Sequence, residues 1–166
     1  MLDDLKELLS IFNIRKVKYL IVGGYAVSFH TQPRATKDID LLIGPDGDNA
    51  EAIYAALAEF GAPLEGLIPE DFTERGKFFR LGRPPVMVDI FAEISGVDFE
   101  RAWRNRIEAV IDVPSGLTAS FISAEDLIAA KLGAGRPQDI ADVAALRKTA
   151  ETRQKPKRPA RREGLR

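Results

Sequence analysis

A single α/β domain is predicted by three observations. Short runs rich in strand-forming residues recur along the chain, at residues 17–22, 38–43 and 86–91. Segments with apolar residues at helical spacing lie among them, as at residues 2–14 and 49–60. The 166 residues, 45% hydrophobic and 30% charged, suit one packed core and are too few for two ordinary domains.

The elements follow in order. Leu2, Leu5, Leu8, Leu9 and Phe12 mark a first helix, and residues 17–22 a strand ended by Gly23-Gly24. Residues 25–30 fit a short helix opening at that turn and stopped at Gln32-Pro33. A second strand, Asp38 to Ile43, runs into the turn Gly44-Pro45-Asp46-Gly47, and the helix over residues 49–60 ends at Gly61. Further strands are predicted at residues 77–81, 86–91, 107–113 and 117–121, with a helix start at Asp98. Ser123 and the acidic Glu125 and Asp126 favour a helix N-terminus, and that helix runs to about Leu132, before Gly133 and Gly135. Pro137 opens a last helix over residues 138–148. The expected organisation is therefore one domain over residues 1–150 and a basic, disordered tail over 151–166, where Pro156 and Pro159 fall among cations.

Composition excludes several kinds of chemistry. The chain has no cysteine, and His30 is its one histidine, so neither disulfides nor the usual zinc sites can be built and any metal must be held by oxygen. No apolar run approaches about 20 residues, and no basic segment followed by an apolar one opens the chain, so no membrane partner and residence in the cytoplasm are expected. The net charge of −1 conceals an asymmetry: residues 147–166 carry +7 and residues 1–146 carry −8. A basic tail of this kind can contact RNA phosphates or can be a solvated chain end.

Asp38 and Asp40 carry the chemical signal. At i and i+2 of a strand their carboxylates project from one face, about 7 Å apart at their origins, and a divalent cation relieves their repulsion. An Asp-x-Asp pair alone also fits a strand-end cap beside a surface residue. The surroundings add to it: Gly23 and Gly24 open a helix whose free N–H groups can cradle phosphate, and Asp89 sits inside an otherwise apolar strand, where a charge needs a partner. Arg34 and Lys37, just before the pair, can reach triphosphate oxygens or stand as surface cations. Lys131 can bind phosphate or can pair with Asp139 or Asp142. His30 and Trp103 read as structural residues rather than site residues. A dinucleotide-binding turn is excluded, because Ser28 and Phe29 stand where a third glycine is required.

A strand, a glycine pair at a helix start, then Asp38-Ile39-Asp40 and a later lone Asp89 resemble the DNA-polymerase-β-type nucleotidyltransferase superfamily over roughly residues 19–91. Val22 to Ala26, with Arg34-Ala35-Thr36-Lys37-Asp38-Ile39-Asp40, is most similar to small bacterial stand-alone members, including the AbiEii-type toxin nucleotidyltransferases. Ala130-Lys131-Leu132 and Arg136 to Asp142 resemble their helical end. The resemblance implies a small mixed sheet flanked by helices, with a C-terminal helical segment. It implies that Asp38, Asp40 and Asp89 are catalytic and hold Mg²⁺ or Mn²⁺, with Asp89 activating the acceptor hydroxyl. It implies that Gly23, Gly24, Arg34, Lys37 and Lys131 bind a nucleoside triphosphate. The expected reaction moves a nucleoside monophosphate to a hydroxyl on RNA, protein or a small molecule and releases pyrophosphate. The alternative is a weakly active nucleotide- or RNA-binding member acting with a protein partner in a toxin–antitoxin pair. Where many minimal members have Gly-Ser at the turn, this chain has Gly23-Gly24, so the phosphate must be held there by backbone N–H groups.

Overall fold

The computed structural model describes residues 3–84 and 86–154. Of the tail expected over residues 151–166, the first four residues belong to the last helix and residues 155–166 lie outside the described residues. Along the chain run α1 (Asp3–Ile14), β1 (Tyr19–Val22), α2 (Gly23–His30), β2 (Asp38–Ile43), α3 (Gly47–Phe60), a 3-10 turn (Pro69–Thr73), β3 (Phe78–Arg83), β4 (Val86–Phe91), α4 (Phe99–Arg104), β5 (Ile107–Asp112), β6 (Leu117–Phe121), α5 (Ala124–Ala134) and α6 (Pro137–Gln154). The strands form one six-stranded mixed sheet in the order β3-β4-β2-β1-β6-β5. β2 runs antiparallel to β1 and parallel to β4, while β6 runs parallel to β1.

The two-residue period of β2 decides what each sheet face carries. Ile39, Leu41 and Ile43 point to one face, where Tyr19, Ile21, Val88 and Ile90 join them under α1 and α3, with Leu5, Leu8, Phe12, Ile53 and Leu57 in the same core. Leu42 points to the other, into a second core with Leu20, Val22, Ala26, Phe99, Leu127 and Leu146. Asp38 and Asp40 share that second face, so the acidic pair lies at the end of a buried apolar row.

Local polar groups fix the ends of these elements. Asp46 Oδ1 accepts from the Asn49 amide at 2.8 Å and caps α3, and Gly61, at φ +85°, closes it. The buried Asn49 side chain accepts from the Lys18 amide at 2.7 Å and donates to the Lys18 and Gly44 carbonyls, so it joins the outer ends of β1 and β2. Ser123 Oγ accepts from the Asp126 amide at 3.1 Å and caps α5. Asp126 itself is buried and accepts from Arg101 and Asn105, which fastens the end of α4 to the start of α5.

Two differences from expectation have clear causes. α6 runs to Gln154, six residues past the predicted end, because nothing before Pro156 breaks a helix. Its last turns are exposed and polar, so apolar spacing ceases while helical propensity continues. α2 begins at Gly23, so the glycine pair lies inside the helix's first turn instead of ahead of it.

Candidate active site

Sheet register builds the site. β2 and β4 lie side by side, with Asp40 opposite Asp89 and Asp38 opposite Met87. β3 adds Arg80 opposite Asp89, and β1 puts Val22 opposite Asp40. Arg80, Asp89 and Asp40 therefore form a row across three strands on one face. The row two residues along is apolar and consists of Phe78, Phe91 and Leu42. Phe78 and Phe91 bring their rings to 5.3 Å between centroids.

Asp40 is the electrostatic centre of this row. Burial, the Asp89 charge and the Asp38 charge push its carboxyl up to about 6, and Lys131 and Arg80 only partly oppose them. Among the described residues, no group hydrogen-bonds the Asp40 carboxylate. Asp89 has a partner: Arg80 Nε and Nη2 donate to its Oδ1 and Oδ2, both at 2.8 Å. The same guanidinium stands 4.0 Å from Asp38 Oδ2.

The glycine turn packs directly on this row. Gly23 has φ +61°, and a Cβ there would land on the Asp40 carboxylate, so both backbone and space require glycine. Gly24 has a different reason: its Cβ would stand 2.9 Å from Thr36 Cγ2, in the segment leading into β2. Thr36 Oγ1 is the buried side-chain oxygen or nitrogen left without a hydrogen-bond partner among the described residues. Gly23→Ala is expected to cost about 2 kcal/mol in urea denaturation, from left-handed backbone strain and displaced carboxylate. Adding Asp40→Ala should recover part of that loss; an undiminished cost in the double variant would show that the carboxylate contact is not its source.

A cleft of about 630 Å³ opens over the row. Gly23, Asp40, Arg80 and Asp89 line one side, and Lys131, Arg136 and Asp139 from the helical end line the other. Lys131 Nζ lies between two buried carboxylates, 3.1 Å from Asp139 Oδ1 and 3.0 Å from Asp142 Oδ2. Arg136 donates to Asp139 through its backbone amide at 3.1 Å and through Nε at 2.7 Å. The Arg136 hydrogen bond, with that of Lys131, holds the Asp139 carboxyl at about 2 against burial. Burial pulls Asp142 upward, yet hydrogen bonds from Lys131, Gln138 and Arg34 prevail and keep it below the ordinary carboxylate range.

The structure thus brings Gly23, Asp40, Asp89 and Lys131 together around one cleft, with Asp38 at its edge beside Arg80. Arg34 points elsewhere: its Nη1 donates to Asp142 Oδ1 at 2.8 Å, which joins the segment before β2 to α6. Lys37 is exposed and has no ion pair among the described residues. His30 is buried, its Nε2–H donates to the Ile122 carbonyl at 2.7 Å, and burial lowers its pKa. Trp103 stacks with Phe99 and lies under the Arg106 guanidinium, a packing role. Sequence reasoning missed Arg80 and Arg136. A hairpin signal could have found the first, because counting outward from the Arg83–Val86 pair sets Arg80 opposite Asp89.

The side chains of the row that could ligate a metal ion are all carboxylates, and the crowded Asp40 is the kind of group a divalent cation relieves. The fit is incomplete while Arg80 holds Asp89. Among the described residues, no three carboxylate or imidazole groups are gathered closely enough to hold an ion.

Solved structures share the fold of this chain. The lincosamide antibiotic adenylyltransferase LnuA, solved with lincomycin bound, superposes with a TM-score of 0.57 at 19% identity, over 90% of this chain and 98% of that one. ANT(2'')-Ia, solved in complex with adenylyl-2''-tobramycin, gives 0.54 at 17% identity, over 89% of this chain and 86% of its own. TM1012 from Thermotoga maritima, solved as a candidate nucleotidyltransferase, gives 0.55 at 18% identity, over 89% and 91%. These likenesses are of fold. A search among curated proteins finds no match. Among the described residues no helix is long and apolar enough to cross a membrane. A family model described as nucleotidyltransferase of unknown function, DUF6036, matches residues 1–151, and the chain belongs to that family.

Proposed function

We propose that the chain transfers a nucleoside monophosphate from a nucleoside triphosphate to a hydroxyl acceptor and releases pyrophosphate. The observation that carries this reading is the acidic row Asp40–Asp89 set against the Gly23 turn, facing a cleft with cations on its far side. Asp38 and Asp40, with Asp89 once freed from Arg80, would hold Mg²⁺ or Mn²⁺. When bound, such an ion supplies charge neutralisation of the triphosphate and acidifies a hydroxyl.

The protein's own part is positioning. The first N–H groups of α2 present the positive end of the helix to phosphate oxygens beside Asp40. Arg136, exposed and anchored by Asp139, offers positive charge from the opposite wall, and Lys131 adds to it to the extent that Asp139 and Asp142 leave its charge unbalanced. Asp89, once freed from Arg80, would take the proton from the acceptor oxygen as that oxygen attacks the α-phosphorus. The bond to the bridging oxygen breaks, and pyrophosphate leaves. Arg34 and Lys37 play a smaller part here, since Arg34 is spent on Asp142.

The acceptor we favour is a small molecule. The cleft is about 630 Å³ with an apolar floor of Phe78 and Phe91, and two neighbours of the same fold are solved with an antibiotic or adenylylated antibiotic bound. One observation favours a second reading, a catalytically weak nucleotide- or RNA-binding member acting in a toxin–antitoxin pair: the two-pronged Arg80–Asp89 pair occupies a carboxylate that transfer would need free.

Incubation with each α-labelled triphosphate, Mg²⁺ or Mn²⁺, and separate pools of small hydroxyl compounds, RNA and protein tests both. Label in the small-molecule pool that disappears in Asp38→Asn and Asp89→Asn is the expected result. Nucleotide binding without label in any pool would favour the second reading.

A further inference from the structure

Arg80 is the strongest residue of the cleft that the proposed reaction does not use. Its guanidinium is about half exposed, whereas the carboxylate it holds is almost fully buried, with side-chain exposures of 52% and 7%. It faces the interior of the cleft from the middle of β3, and its two parallel hydrogen bonds of 2.8 Å occupy both oxygens of Asp89. A second carboxylate, Asp38, stands 4.0 Å away. In the same position the guanidinium lies over the Phe78 ring, 5.5 Å from its centroid.

Three negative groups crowd this end of the sheet, and Arg80 is the cation that neutralises them at closest range. A divalent cation at the carboxylates and Arg80 on Asp89 compete, because the guanidinium engages both Asp89 oxygens and sets its own positive charge beside the place an ion would take. A guanidinium released there stands in the same cleft where the triphosphate would lie.

We propose that Arg80 is an exchangeable counter-ion: it closes Asp89 in the free protein, yields it to a divalent cation, and then binds an oxygen of the incoming triphosphate. This rests on the nucleotidyltransferase reading above. It makes Arg80 a substrate-binding residue whose contact with the carboxylate is a resting state. The exchange makes metal and nucleotide binding mutually supportive, since each removes a partner that the other competes for.

The test is a pair of binding measurements on Arg80→Gln and Arg80→Lys, with no turnover needed. Mn²⁺ binding is read from the electron-paramagnetic-resonance signal of the free ion, and nucleotide binding by calorimetry with a non-transferable α,β-methylene triphosphate. Arg80→Gln is expected to bind Mn²⁺ alone roughly tenfold more tightly, the scale of one charge-assisted hydrogen-bonded pair no longer broken. It should bind the triphosphate analogue with Mn²⁺ roughly tenfold more weakly. Arg80→Lys should keep much of the nucleotide affinity while losing the two-pronged grip.

The opposite signs separate the outcomes. A loss of both affinities would mark Arg80 as structural and overturn the proposal. Unchanged Mn²⁺ affinity in Arg80→Gln, with wild type binding the ion, would overturn it while leaving the transferase reading intact. No Mn²⁺ binding by either protein would overturn both.

Discussion

Asp40→Asn lowers nucleotidyl transfer by about a thousandfold or more, if the acidic row is the catalytic centre, because one of its charged oxygen donors becomes neutral. The same substitution leaves stability at neutral pH unchanged or higher. The reason lies in the sign of the linkage. In the folded chain the Asp40 carboxyl is raised to about 6 by burial and by Asp89 and Asp38, above the ordinary 3.8. The fold therefore prefers the protonated acid. The corresponding stability is fully present below about pH 4 and is lost as pH rises through about 6, a change of roughly 2–3 kcal/mol. Urea denaturation of wild type should show this decline between those limits, and Asp40→Asn should flatten it. Mg²⁺ should restore part of it in wild type alone. An asparagine variant that loses as much stability at pH 7 as at pH 4 would mean that the carboxylate already has its partner in the fold. Full transfer activity would remove Asp40 from the site.

Asp139→Ala costs about 3–5 kcal/mol, the scale for removing one member of a buried ion pair while its partners stay. Lys131 keeps only Asp142, and Arg136 loses both its amide and guanidinium acceptor. Guanidinium denaturation at pH 7 reads the loss, and hydrogen exchange should show α6 opening first, since the α5–α6 contact is fastened there. A cost below about 1 kcal/mol would mean that the network is solvated and weak. The acid limb gives an independent check. Asp139 sits at about 2, below the ordinary carboxylate value, so its contribution is present above about pH 4 and is lost as pH falls toward 2. Wild type should lose roughly 2 kcal/mol over that interval through this group, and Asp139→Ala should not.

How far the sequence reveals this protein can be read from particular residues. β2 and β4 were legible to the residue, because each is a short apolar run rich in strand formers with turn residues beside it. The glycine turn was legible as the start of a helix, but the separate reasons for its two glycines were not. Gly23 rather than Gly24 meets the carboxylate, a matter of which Cβ would face Asp40 once β1 and β2 pair. Lys131 was open between phosphate and carboxylate partners, since sequence spacing alone cannot show both Asp139 and Asp142 turning inward. Arg34 shows the limit most clearly. Its proximity to Asp38 in sequence suggests the triphosphate, yet its partner is 108 residues away. Arg80 escaped notice because a charged residue in an edge strand is ordinary; only the hairpin register gives it a meaning.

That distant partnership also bears on how the chain comes into being. The acidic row and the glycine turn are complete once residue 89 has been synthesised, but the far wall of the cleft depends on Lys131, Asp139 and Asp142. While the chain is emerging from a ribosome, Arg34 and Lys131 wait as unmatched cations, and the second core lacks Leu127 and Leu146. A product cut short before α6 would carry every candidate catalytic carboxylate and no closed cleft. Premature termination or proteolysis at Gly135–Pro137 is therefore expected to leave a fragment in which Lys131 has neither Asp139 nor Asp142, and under the transferase reading such a fragment would not transfer.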